Sequence, residues 1–317
     1  MTMTQTFPET TTTKTTMDKE PSGFTKVLGM LWRDKFAFFA ALFLILIVLC
    51  AIFGPMLMGD AALHQNLRGR NGPPFVITQG WLYVMGSDAL GRPLLPRVVV
   101  AAQNTMMIAA GAVVCSSVIG ALLGLVAGYS SARVSNIIMR LADVIMSFPS
   151  LLLAVIVLYI LAPSVGNLII VLAVTRIPVY LRTTRAEVLE IRQRMFVEAA
   201  EVMGASSTRI VFRHILPMVI PTLVTIATLD FAFVMLAESS LSFLGIGIQP
   251  PEITWGLMVS QGKQYLATAW WLAFWPGLAI ILTTMSLNLL SNWLRIALDP
   301  AQRWRLEISK KGAKANG

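Results

Sequence analysis

The sequence is short of charge. Asp, Glu, Lys and Arg make up 13% of its 317 residues, against 56% hydrophobic residues; soluble domains carry roughly 25% charged residues. A mean hydropathy of +0.71 points the same way, so an ordinary soluble domain is excluded. Cysteine is scarce as well. Cys50 and Cys115 both lie in apolar stretches, so no disulfide framework or thiolate metal site is expected, and both read as buried, inert thiols. Histidine occurs only at positions 64 and 214, without an H-E-x-x-H pattern, which excludes a metal-dependent membrane protease of that type. The phosphate-cradling pattern G-x-x-x-x-G-K-[ST] is missing, so the chain is not expected to bind or hydrolyse ATP. Ser239 and Ser240 have no His or Lys nearby in sequence to activate them. With no catalytic set in view, neither an enzyme nor a chain with a bound cofactor or metal is expected.

What is present is a series of apolar runs long enough to cross a bilayer, each needing ~20 residues. The length leaves room for about six such spans with modest loops, so an all-α integral membrane protein is expected. The net charge of +9 is spread over loops and tails. It reads as topology signals and contacts with membrane lipids, with no nucleic acid as partner.

Residues 1–23 form a Thr-rich polar tail, expected to be disordered and without a signal-peptide layout. Residues 24–58 read as an interfacial helix, with Trp32, Lys26, Arg33 and Lys35 at the headgroups, and a first span over 36–53 that Gly54-Pro55 closes. A polar connection covers 59–100. Residues 101–296 hold five more spans, about 105–129, 136–161, 168–181, 217–244 and 271–294, and 297–317 is a basic tail with Arg303, Arg305, Lys310 and Lys311. In the second span Gly120 and Gly124 stand four apart, the small-xxx-small spacing that permits close helix approach. Pro149 is expected to kink the third. Arg140 and Asp143 lie near its start, three apart on one face, and are expected to pair with each other or with nearby loops. Arg176 in the short fourth span is expected to snorkel to the membrane surface. The stretch after the fifth span, with Trp255, Trp270 and Trp271, is expected to be a loop at the interface.

Between the fourth and fifth spans, the segment from Phe196 to Pro217 is charged and helix-prone. Glu198 to Met203 favour a short helix, Gly204 permits a sharp turn, Ser206 can cap a second helix, and Pro217 suits the first turn of the next span. A helix–bend–helix of this kind, outside the bilayer and wedged between two spans, can pass a push from a soluble partner to the bundle. Basic residues at 133, 182–213 and both tails fall on one side of an even-span bundle, which is then the cytoplasm.

The run Glu198-Ala199-Ala200, then Gly204, then His214-Ile215-Leu216-Pro217 resembles the EAA loop of ABC importer permeases, though the family usually has an aliphatic residue in place of His214. Other stretches carry the same resemblance to the dipeptide/oligopeptide/nickel branch, at its C-type permease subunit. They are Gly86-Ser87-Asp88 with Gly91-Arg92, the run from Tyr129 to Leu153 with Phe148-Pro149-Ser150, Ser242 to Gly256, and Ala297 to Pro300. Pro93 and Pro96 depart from the branch's usual Asp and Ser.

The resemblance implies a six-transmembrane-helix type I ABC importer permease with a cytoplasmic EAA coupling loop over 185–216. Coupling to an ATPase would fall to Glu198, Ala199, Ala200, Gly204, Ile215, Leu216 and Pro217. It implies a multi-pass protein of the bacterial inner membrane with both termini cytoplasmic. Its partners would be a second homologous permease, two ATP-binding subunits that carry ATP and magnesium, and an extracytoplasmic solute-binding protein that delivers di- or oligopeptides or similar solutes. Asp88, Gly91 and Arg92 are either turn chemistry or contacts to that binding protein.

The intramembrane carboxylates leave a second reading, an ion-coupled secondary transporter using Asp143, Asp230 and Glu238. Asp230 and Glu238 are candidates for the translocation path. For Asp230 three situations stay open: lining the path, pairing with a basic residue of the partner permease, or sitting protonated in the bundle.

Overall fold

The computed structural model describes residues 30–32, 34–76 and 80–298. The polar tail 1–23, the interfacial helix as far as residue 29 and the basic tail from 299 lie outside these. Apart from the isolated bridge between Ser87 and Pro93, the regular structure of the described residues is helical. Five helices are long and apolar enough to cross a membrane, and a bent pair can supply a sixth span.

Helix α1 (Lys35–Leu63) starts where the Asp34 carboxylate accepts from the backbone N–H groups of Phe36 and Ala37. It does not stop at Gly54-Pro55 as the sequence suggested; Pro55 is carried inside the helix. The glycine there serves packing, since a Cβ on Gly54 would lie 2.8 Å from Val99 Cγ1 of the next helix.

Helix α2 (Leu94–Tyr129) has 36 residues, a length of about 54 Å, and begins well before the predicted span. Pro149 does more than kink the third span. It separates α3 (Ala132–Met146) from α4 (Ser150–Leu161) by an 84° bend, because proline lacks an N–H and disfavours helical backbone at Phe148.

Helix α5 (Val165–Ile191), capped by Ser164, is nearly twice the predicted length and runs on past the predicted end at 181 to include Arg182 and Arg185. Gly120, Gly124 and Gly128 of α2 face Tyr180, Thr184 and Val188 of α5 in matching four-residue steps. A Cβ on each would come within 2.5, 2.5 and 2.6 Å of the facing Cβ. The close approach foreseen from this spacing is therefore the α2–α5 contact.

Two short helices follow, α6 (Met195–Val202) and α7 (Ser207–Ile210), and then a π-helical turn (Val211–Ile215) leads directly into α8 (Leu216–Phe243). The Leu216 N–H reaches back to Val211 O, and Pro217 in the next position has no N–H to give. The wider turn accommodates that gap, so α7 and α8 form one continuous rod. The stretch expected to be a loop contains α9 (Trp255–Gly262), and α10 (Trp271–Leu298) completes the bundle.

Trp255 is no interfacial anchor. It is 1% exposed, and its Nε1 donates to Val98 O at 2.8 Å. Trp271 is likewise buried, whereas Trp270 stays exposed. Cys115 is exposed and Cys50 half-buried, so the thiols are not both in the core. The main core unites α1, α2, α4, α5, α8, α9 and α10, and a second cluster joins the ends of α2 and α5 to the 195–223 region.

Candidate functional site

The helix–bend–helix sits at the C-terminal end of α2. The Tyr129 hydroxyl donates to Glu201 Oε1 at 2.9 Å, and Arg192 Nη1 donates to Gly128 O at 3.2 Å. Gly204 makes the bend with φ +80°, and the Ala205 N–H returns to Ala200 O. Ser206 Oγ then accepts from Arg209 N, the cap expected from the sequence.

The two faces of this element differ. Val197, Ala200, Ile210 and Ile215 are buried among α2 and α5 residues. Glu198 and Ala199 are exposed, as are Met195, Val202 and Met203 at 84%, 89% and 81%. Of the residues matched to the coupling motif, then, Ala200 and Ile215 fix the element to the bundle, Leu216 is half-buried, and Glu198, Ala199, Gly204 and Pro217 are presented outward.

Midway along α8, Asp230 is 4% exposed. It lies about 21 Å along the helix from Leu216 at ~1.5 Å per residue. Its partner belongs to this same chain: Arg176 of α5 donates from Nη2 to Oδ1 and from Nε to Oδ2, the latter at 3.2 Å. The guanidinium carbon also lies 4.4 Å from the centre of the Phe233 ring. Arg176 therefore does not snorkel; a bidentate pair inside the bundle satisfies both charges. It also lines a cavity of about 200 Å³ at the α3–α4 break, beside Met146, Phe148, Ser150 and Thr175.

Of the two pairings expected for Arg140 and Asp143, with each other or with a nearby loop, the first is not formed and the second is met in part, since Arg182 follows the predicted end of the fourth span at 181. Asp143 pairs with Arg182 of α5, and Arg140 is exposed. Glu238 is fully buried, its carboxylate accepting from Ser242 Oγ at 2.8 Å and Ser239 Oγ at 3.4 Å.

At the opposite end of α2, Asp88 organises the 86–97 turn. Its Oδ1 accepts from the N–H groups of Leu90 and Arg92, both at 2.9 Å, and its Oδ2 from Arg92 Nε at 2.7 Å. Gly91 has φ +72°, and any Cβ there would overlap Asn66 O. Asp88 and Gly91 build this turn, and Asp88 and Arg92 also border a pocket.

The comparisons with known proteins follow this geometry. Residues 120–304 match the model of the binding-protein-dependent transport system inner membrane component, and residues 24–74 match the N-terminal transmembrane domain of oligopeptide transport permease C. The chain belongs to the binding-protein-dependent transport permeases.

It is 39% identical, over 84% of its own length and 89% of the relative's, to a di/tripeptide transport system permease protein of Pseudomonas aeruginosa. It is 33% identical, over 89% and 91%, to a dipeptide transport system permease protein of Alkalihalophilus pseudofirmus. A glutathione transport system permease protein of Escherichia coli is 39% identical over 84% and 87%. Among this permease's described residues no group of three or more His, Cys, Asp and Glu could hold a metal ion. Sequence reasoning missed the Arg176–Asp230 pair and the Tyr129–Glu201 anchor. Both join residues far apart in the chain, and only the first left a signal, a pair of opposite charges inside two spans.

Proposed function

We propose that this permease is the membrane half of an ATP-driven importer of small peptides, paired with a second homologous permease. Two separate ATP-binding subunits, holding ATP and magnesium, dock on the helix–bend–helix, and an extracytoplasmic binding protein delivers the solute to the other end. The observation that carries this reading is the two-faced 195–215 element. Its inner face is packed into the bundle, and its outer face offers Glu198 beside the apolar side chains of Met195, Val202 and Met203. Large apolar groups left in water mark a surface that another protein covers. Arg192, Arg194, Arg209 and Arg213 lie in or beside this element, and Arg133 follows the end of α2 on which it sits, which supports placing that end in the cytoplasm.

In this cycle the ATP-binding subunits close on ATP and draw the coupling elements of the two permeases together, and hydrolysis lets them part. The rigid α7–α8 rod carries the displacement toward Asp230. The translocation path passes the Arg176–Asp230 pair and the cavity beside Arg176, and a carboxylate already held by an arginine gives no preference for cationic solutes. Glu238, enclosed and hydrogen-bonded within this chain, fits a structural role better than a path role.

Ion-coupled transport is disfavoured because Asp143 and Asp230 are each held by an arginine. The peptide assignment rests on the names of the relatives. The test is co-purification of the ATP-binding subunits with Glu198→Ala and Gly204→Leu. Both variants should reach the membrane in normal amounts but retain less ATPase and import less peptide. Normal ATPase retention and uptake in both would refute the coupling role.

A further inference from the structure

A pocket opens at the end of the bundle opposite the helix–bend–helix. It has a volume of about 420 Å³ and lies between the 88–97 segment, the turn after α8, α9 and the start of α10. Arg92 and Arg97 share its wall with Asp88, the one carboxylate among the described lining residues. Asp88 is already engaged by the backbone of its own turn and by Arg92. Arg97 is left with a looser approach, Nε to Asp88 Oδ2 at 3.6 Å. It is only 2% exposed, and its Nη1 has no hydrogen-bond partner.

A buried guanidinium with an idle donor is costly and asks for an acceptor. Two arginines against one carboxylate leave room for one more negative charge. The remaining wall carries Gln249, Gln261 and Tyr265, side chains that pair with amide groups. The volume falls within the range of small-molecule sites, roughly 300–1,000 Å³, and is larger than one acidic side chain fills.

We propose that this pocket is a solute site that holds the carboxylate of an incoming small peptide against Arg92 and Arg97. The choice of a peptide rests on the import function proposed above; the carboxylate preference rests on the pocket alone. Arg92 is the more accessible of the two and meets the carboxylate first. Arg97 adds the buried positive charge behind it, and its unpartnered Nη1 becomes available when a side-chain rotation brings it to the wall. The glutamines meet the peptide's amide. The site would take the solute at low affinity on release from the binding protein, before it moves inward.

The test uses the assembled importer, with both permeases and both ATP-binding subunits, in nanodiscs without the binding protein. Equilibrium binding of labelled Ala-Ala is compared with that of its C-terminal amide, and peptide uptake with the binding protein is measured in parallel. Ala-Ala should bind roughly tenfold or more tightly than the amide, the size of one charged hydrogen-bond contact. Arg97→Gln should abolish the difference, with Arg97→Lys retaining part of it.

Should Arg97→Gln fail to assemble, Gln261→Glu serves instead. It alters an exposed wall residue, places a negative charge at the pocket, and should weaken Ala-Ala binding by a similar factor. Equal binding of acid and amide, or indifference to Gln261→Glu, would overturn the proposal. So would normal uptake without any Ala-Ala binding; a raised KM for the binding protein in Gln261→Glu would then assign the pocket to an acidic side chain of that protein. Ala-Ala binding that depends on Arg97, with no uptake of any peptide, would uphold the site and refute the import function.

Discussion

Asp230 and Arg176 show what a buried charge requires of its neighbours. Each alone would be expensive in the bilayer, by roughly 2.5–3.5 kcal/mol on insertion scales, and each is acceptable because the other faces it. Asp230→Asn removes the charge but leaves Arg176 enclosed beside Phe233, so it should cost about 3–5 kcal/mol, as breaking a buried pair does. The double variant Arg176→Met/Asp230→Leu removes both charges and should recover most of that loss. Thermal unfolding of the detergent-solubilised importer, with both single variants and the double, measures the coupling. A double variant as unstable as Asp230→Asn would mean that the pair is not what stabilises this layer. Glu238 follows the opposite logic. Its partners are hydroxyls, so Glu238→Gln should be nearly neutral in the same assay, and Glu238→Leu, which strands Ser239 and Ser242, should be destabilising by about 1–3 kcal/mol.

At the scale of elements, two glycine devices have different physical causes. Gly124 is needed for space: a Cβ would sit 2.5 Å from Thr184 Cβ and 2.7 Å from the backbone oxygen of Leu181, and backbone cannot step aside. Gly124→Val should push α2 from α5 and lower the stability of the assembled importer by at least about 1–3 kcal/mol. Gly166→Ala, with nothing within 4 Å of the new atom, is the control and should be silent. Gly204 is needed for backbone conformation. Nothing crowds it, but φ +80° costs other residues about 1–2 kcal/mol. Gly204→Ala should therefore loosen the α6–α7 bend and weaken ATPase co-purification without lowering the melting temperature of the bundle. A melting temperature that falls as far as in Gly124→Val would show that the bend is part of the core.

For the whole molecule, the α3–α4 break decides the topology. If the bent pair crosses the membrane, cysteines placed at Leu90 and Ser164 are labelled from one side and those at Ser131 and Ser207 from the other. All four positions are exposed, and the background would carry Cys50→Ala and Cys115→Ala. An impermeant maleimide added to intact cells should reach only the first pair. Labelling of Ser164 and Ser131 positions from the same side would make the pair a re-entrant loop and leave an odd number of spans.

The sequence alone determined whatever follows from local chemistry. Apolar run length gave the membrane class, and the Ser206 cap, the Gly204 bend and the four-residue glycine spacing were read correctly because each depends on a few neighbouring residues. Helix ends were read less well: at Gly54-Pro55 and before Thr105 helix continues through polar or proline-bearing stretches, because packing against a neighbour outweighs local propensity. The functional partners of charged residues were decided by tertiary structure only. Arg176 could have reached the membrane surface and Asp143 could have met Arg140 by sequence distance. Folding instead brought α5 against both α8 and α3; Asp143 and Arg182 meet at an exposed contact, whereas inside the low-dielectric bundle the buried Asp230 is settled by the opposite charge that packing places beside it.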